Sequence, residues 1–153
     1  MDDRTLLGDA PLGRLNGACI LVVDDEEEIR TFLTTLFADH GAAVLEASDG
    51  VQALEIAIRS RPDLITLDLS MPGVDGIETF SRLRTEDETA EIPVCIITGH
   101  PEFRKVIYDR PVTPPEGFIE KPCDPDHVVR SLHRILGLEK RKKERSRSTT
   151  RTP

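Results

Sequence analysis

Cys19-Ile20-Leu21-Val22-Val23-Asp24-Asp25 sets five apolar side chains in an unbroken row and closes them with two carboxylates. A run that is apolar at both parities suits a strand covered on both faces, the condition of a parallel sheet. Ile29, Phe32, Leu33, Leu36 and Phe37 follow at the spacing of one helical stripe, which Gly41 stops. The same unit then recurs. Residues 43–47 predict a second strand, and Asp49 with Gln52 forms a capping pair for a helix that buries Val51, Leu54 and Ile58 and closes at Pro62. Residues 64–69 predict a third strand with Asp68 near its end, and Ile77, Phe80 and Leu83 mark a third helix. Residues 92–98 and 117–120 supply two more strands. The last helix takes Asp124 as N-cap and Pro125 as its first residue, lays Val128, Val129, Leu132, Ile135 and Leu136 on one face, and ends at Gly137. Five alternations of strand and helix predict an α/β fold: an open parallel sheet with helices on both faces.

Composition narrows the class. A chain of 153 residues fits one compact domain with short ends, and 38% hydrophobic residues can support its core. With 31% charged residues, a net charge of -8 and no apolar run near the roughly 20 residues that cross a bilayer, a membrane span is excluded. Asp2, Asp3 and Asp9 among single leucines do not make a secretory signal, so a cytoplasmic location is expected. Cys19 and Cys95 lie in apolar runs and Cys123 follows a proline, which reads as three unpaired thiols, and no Cys/His spacing resembles a zinc site. Residues 139–153 hold seven Lys/Arg and two Glu, a net +5, which leaves -13 on residues 1–138. The expected organisation is a flexible extension at 1–17, a domain at 18–138 and a basic, disordered tail at 139–153.

Every polar residue that interrupts the pattern falls at the carboxyl end of a strand: Asp24 and Asp25 after the first, Asp68 at the third, Thr98 at the fourth, Lys121 at the fifth. Ligands of open α/β sheets bind at those ends. Two like charges about 4 Å apart cost roughly 4 kcal/mol at an effective dielectric near 20, so converging carboxylates need an opposing charge. Oxygen ligands without Cys or His favour a hard divalent ion, and a few carboxylates suit magnesium. Asp24 and Asp25 also read as simple N-caps of the next helix, whereas Asp68 precedes a Pro/Gly loop and has no such alternative.

Together, Val22-Val23-Asp24-Asp25-Glu26, Asp68-Leu69-Ser70-Met71-Pro72-Gly73-Val74-Asp75-Gly76, Ile97-Thr98-Gly99-His100 and Glu120-Lys121-Pro122 resemble the receiver domain of two-component response regulators. The resemblance implies a flavodoxin-like, doubly wound five-stranded sheet in the order 2-1-3-4-5. It implies that Asp68 accepts a phosphoryl group from a sensor histidine kinase or phosphotransfer protein. Mg2+ would be held by Asp25, by Asp24 through water, by Asp68 and by the Ser70 carbonyl. Thr98 and Lys121 would contact the phosphoryl oxygens, Thr98 and Phe118 would form the switch, and Lys121-Pro122 would be cis. His100 would flank the phosphoryl group. Such a chain is a phosphoacceptor rather than a turnover enzyme, and its output is an unidentified protein target.

One departure and two alternatives accompany that reading. Pro101, Pro111, Pro114 and Pro115 leave only residues 102–108 competent for the fourth helix, so the family's usual dimerisation surface is in doubt and the segment 101–117 is expected to be the least stable part of the domain. A haloacid-dehalogenase-like phosphatase also uses a strand-end Asp with magnesium, but it needs an acid two residues on, where this chain has Ser70. A pseudo-receiver serving only as a binding scaffold is the other alternative. No DNA-binding domain is expected, since no second globular stretch follows Leu138.

Overall fold

Strand and helix alternate from β1 (Cys19–Val23) through α1 (Glu27–Asp39), β2 (Ala43–Ala47), α2 (Gly50–Ser60), β3 (Leu64–Leu67), α3 (Gly76–Thr85), β4 (Val94–Thr98), α4 (Phe103–Tyr108) and β5 (Gly117–Glu120) to α5 (Pro125–Thr150). This computed structural model describes residues 13–71 and 75–150, the side chains of 148–150 excepted. All strands pair in parallel in the order β2-β1-β3-β4-β5, as the resemblance implies. The order reverses between β1 and β3, and Asp24 and Asp68 follow those two strands directly.

Side chains alternate across the sheet, so each apolar strand feeds two cores. Ile20 and Val22 join Leu33, Phe37, Val128, Val129, Leu132 and Ile135 on the face covered by α1 and α5. Leu21 and Val23 join Ala53, Ala57, Phe80, Leu83 and Ile107 on the face covered by α2, α3 and α4. That double cover is why β1, β3 and β4 read as unbroken apolar runs. The predicted caps form: Asp49 accepts from the Gln52 amide at 2.9 Å while the Gln52 side chain accepts from the Ser48 amide at 2.8 Å, and Asp124 accepts from the His127 amide at 3.0 Å.

The structure corrects three expectations. In α2 the face toward the sheet is Gly50, Ala53 and Ala57, with Leu54 only partly buried, while Val51 is 53% and Ile58 37% exposed. Small side chains let the helix axis lie close to the sheet, and the larger apolar groups then flank the contact. Phe32 likewise stays 40% exposed although Leu33 and Phe37 are buried. Second, residues 1–17 are not all a free extension: Leu15 is 1% exposed in the α1/α5 core, and its amide bonds the His40 carbonyl at 2.9 Å. Residues 1–12 lie outside the described residues.

The third correction concerns the end of the chain. The last helix does not stop at Gly137 but continues to Thr150, so 139–150 is helical rather than disordered. One interior glycine costs about 1 kcal/mol, and the Glu, Lys and Arg residues beyond it are strong helix formers. Glu139 and Lys142 add an ion pair at 3.3 Å. Residues 151–153 lie outside the described residues.

The proline-rich stretch before β5 is tied to the body by Arg84, whose side chain is 3% exposed. It donates to the carbonyls of Thr113 (2.9 Å), Pro114 (2.7 Å) and Ile92 (3.0 Å) and to Glu116 Oε1 at 2.7 Å. The same carboxylate oxygen accepts from the Val94 amide at 2.7 Å. Carbonyls that no helix can satisfy thus find a guanidinium instead.

Nothing lies within 4 Å of a Cβ built on Gly137. Gly137→Ala should therefore raise unfolding stability by about 0.5–1 kcal/mol in chemical denaturation. A loss of stability would mean that the helix ends there in a left-handed cap.

Candidate functional site

The parallel ladder carries the candidate groups to one edge. Beyond β3 the Asp68 amide still bonds the Val23 carbonyl at 3.0 Å, and beyond β1 the Asp24 amide bonds the Ala47 carbonyl at 3.1 Å. Thr98 pairs in register with Glu120, and the Lys121 amide bonds the Thr98 carbonyl at 2.9 Å. Gly76, at the start of α3, lies against the end of β3, and its amide bonds the Leu69 carbonyl at 3.1 Å. A Cβ at Gly76 would collide with the Asp68 carbonyl and the Leu69 Cα, so only glycine fits this approach. Pro72, Gly73 and Val74 of the quoted motif lie outside the described residues.

Asp24, Asp25 and Asp68 each place a carboxylate oxygen within 4.8 Å of the others, with Asp24 and Asp68 buried and Asp25 exposed. Lys121 Nζ reaches Asp24 Oδ2 at 2.7 Å and Asp68 Oδ2 at 3.7 Å. Its tighter partner is thus Asp24, not the expected acceptor. Asp24 is no helix cap: its Oδ1 accepts from the Glu26 amide at 2.9 Å, and the N-cap of α1 is Glu26, which makes no side-chain cap bond. The Lys121-Pro122 peptide is cis, as expected from the resemblance.

Burial pushes the Asp68 carboxyl up from its ordinary value, and the Asp24 charge adds to this; Lys121, the Ser70 amide and the Thr98 hydroxyl oppose it without cancelling it. The Ser70 amide donates to Asp68 Oδ1 at 3.3 Å. For Lys121, burial alone would lower the ammonium's pKa, but the hydrogen bond to Asp24 and the charges of Asp24, Asp68 and Glu26 outweigh it, leaving it raised. The donor set, three carboxylates with one ammonium, fits a hard divalent cation. A shallow depression of about 490 Å³ bounded by Asp25, Leu69, Ser70, Met71, Asp75, Ile77 and Phe103 opens beside it.

Thr98 is buried, and its Oγ1 accepts from the His100 amide at 3.2 Å. The His100 ring, half exposed, pairs through Nδ1 with Glu102 Oε2 at 3.0 Å. Phe118 sits on β5 with Tyr108 at 6.5 Å between ring centroids, and the Arg104 guanidinium lies 5.1 Å from both rings. Sequence reasoning missed Arg104, and it missed Arg30, which donates to the Asp24 carbonyl at 2.8 Å. The i,i+4 spacing of Arg104 and Tyr108 is a local signal, but the contact with Phe118 needs the α4 to β5 packing and that of Arg30 the first turn of α1 to be seen.

The family model of the response regulator receiver domain matches residues 20–133, and the chain belongs to that family. Sporulation initiation phosphotransferase F of Bacillus subtilis is 36% identical over 120 residues, which cover 78% of this chain and 94% of that protein. The nitrate/nitrite response regulator protein NarL of Escherichia coli is 35% identical over 124 residues, 80% of this chain but only 56% of that longer protein. Among solved structures, the receiver domain of a sensor histidine kinase from Pseudomonas aeruginosa, with magnesium coordinated in its active-site cleft, superposes with a TM-score of 0.72 at 25% identity, covering 79% of this chain and 98% of that one. No helix among the described residues is long and apolar enough to cross a membrane.

A carboxyl whose pKa is higher folded than unfolded contributes stability that is complete below its unfolded value and lost as pH rises through its folded value. Ionised Asp68 is therefore a burden on the metal-free fold at neutral pH. Asp68→Asn should melt a few degrees higher than the parent near pH 7 without divalent ions, and the gap should close as pH falls toward about 4, the ordinary carboxylate range. Equal melting curves at both ends of this range would contradict this charge balance.

Proposed function

We propose that this chain accepts a phosphoryl group on Asp68 from a phosphohistidine of a sensor kinase or phosphotransfer protein and changes its protein contacts in response. The observation that carries the proposal is the buried Asp68 carboxylate at the end of β3, 3.7 Å from an ammonium and clustered with two further acids. An Asp68 oxygen attacks phosphorus, the P–N bond to the donor imidazole breaks, and its electron pair stays on the imidazole. This leaves an acyl phosphate. Transfer of this kind needs positioning and charge neutralisation more than covalent help from the protein.

The chain's own groups supply both. The Ser70 amide orients the carboxylate. Lys121 leaves part of its bond with Asp24 to pair with a phosphoryl oxygen, and the Thr98 hydroxyl donates to another. Asp24, Asp25 and Asp68, with the Ser70 carbonyl, would hold Mg2+, which when bound supplies positive charge against the phosphoryl oxygens. Support for the metal comes from the donor set and from the magnesium-bound relative. Readout follows from Thr98 moving inward and vacating space toward Phe118, which must then leave its stack with Arg104 and Tyr108. The role is that of a phosphoacceptor with at most slow self-catalysed gain and loss of phosphate, not a turnover enzyme, in the cytoplasm.

Intact mass after incubation with a small acyl phosphate and magnesium should rise by one phosphoryl group in the parent and not in Asp68→Asn. Thr98→Ala should still be labelled but should lose most of the phosphorylation-dependent change in hydrogen exchange over residues 99–120. An unlabelled parent, or a labelled Asp68→Asn, would overturn the assignment.

A further inference from the structure

The helical continuation of α5 gives the chain a surface that no part of the phosphoacceptor site uses. Of residues 140–147, Lys140, Arg141, Lys142, Lys143, Arg145 and Arg147 are cationic and only Glu144 is acidic, and all eight residues are exposed. Successive residues of an α-helix point about 100° apart, so the four consecutive cations from Lys140 to Lys143 already spread over most of the circumference. Residues 139–150 contain no apolar side chain. The continuation starts from the end of the sheet opposite Asp68, since Leu136, Glu139, Lys140 and Lys143 border a groove with Ala18, Asp63 and Pro93, the residues that lead into β1, β3 and β4.

These features discriminate among anionic partners. A membrane-surface helix needs an apolar face to sink between headgroups, and this one has none. A flat acidic protein surface meets only one side of a helix and leaves the other cations in water. A groove walled by phosphates on both sides uses charge all round. The major groove of B-DNA, about 12 Å wide and 8.5 Å deep, admits a helix of about 10–12 Å diameter. The narrow major groove of duplex RNA does not. We propose that residues 139–147 form a sequence-independent docking helix for double-stranded DNA, placed so that DNA and a phosphoryl donor can be engaged at opposite ends of the domain.

The rest of the chain limits the strength of this contact. Residues 1–138 carry a net -13, which opposes the approach of DNA to the domain as a whole. Lys140 and Lys143 share their groove with Glu88 and Glu91, Lys142 pairs with Glu139 at 3.3 Å, and Lys142 and Arg145 border a second groove with Glu116, so fewer than six phosphates are neutralised. The absence of Asn and Gln from 139–153 fits phosphate contact without adenine readout.

Fluorescence anisotropy of the full chain with a labelled mixed-sequence DNA duplex tests the proposal. Binding should be measurable at 50 mM salt and weaken about 10²- to 10³-fold by 200 mM. The combined variant Lys140→Gln, Arg141→Gln, Lys142→Gln and Lys143→Gln should lose it, while circular dichroism shows the helix retained, because glutamine has a helix propensity close to that of lysine. Asp68→Asn should bind DNA as the parent does, since the two surfaces are separate. The proposal is overturned by no binding at 50 mM salt, by undiminished binding in the fourfold variant, or by equal affinity for anionic vesicles or polyglutamate.

Discussion

Three carboxylates held against one ammonium are the constraint on which the rest of this structure turns. Asp24, Asp25 and Asp68 come from strand ends more than forty residues apart in the chain, and parallel pairing alone brings them together. Their repulsion is of order 4 kcal/mol for a close pair at an intermediate dielectric. The two cores pressed against the sheet outweigh that, since each fully buried Leu, Ile or Phe contributes about 1.5–3 kcal/mol. Leu21, Ile65, Leu67 and Phe80 on one face and Ile20, Val22, Leu33 and Phe37 on the other are all at most 2% exposed. The fold thus stabilises a charge arrangement that would not assemble on its own, and Lys121, bonded at 2.7 Å to Asp24, offsets part of it. Under the proposed function this negative imbalance attracts a divalent cation, and the cation together with Lys121 would then offset the charge of an incoming phosphoryl group.

Most of this was legible in the sequence because it rests on local patterns. Apolar runs at both parities mark the central strands, and Asp24, Asp25, Asp68, Thr98 and Lys121 all read as strand-end residues, the edge to which the parallel pairing carries them. What could not be read depends on contacts between distant elements or on small differences in propensity. The stripe Val51, Leu54, Ile58 reads as the buried face of α2, but Gly50, Ala53 and Ala57 occupy it, a choice of face that depends on how the helix packs on the sheet. Gly137 looked like a helix end, yet the strong helix formers beyond it outweigh one glycine. The partnership of Lys121 with Asp24 rather than Asp68 is a matter of a single ångström, below what spacing can report.

The proline-rich departure from the family pattern has a physical counterpart in Arg84. Its fork takes three backbone carbonyls and a carboxylate that also receives the Val94 amide, so the end of the segment next to β5 is anchored to α3 and β4. The other end of the region, at α4, is held differently, by the stack of Arg104 with Tyr108 and Phe118. Under the proposed function, a shift of Thr98 toward Phe118 would meet that stack before the Arg84 anchor.

The central claim, that the acidic cluster is built for a hard divalent cation, is tested most directly by calorimetric titration of Mg2+ into the parent and into Asp25→Ala. Asp25 is the exposed member of the cluster, so its loss removes one carboxylate without opening the core. The account predicts weak, saturable binding of one ion by the parent and binding at least about tenfold weaker in the variant, a difference of about 1.4 kcal/mol. Equal binding by both proteins, or none by the parent, would contradict it.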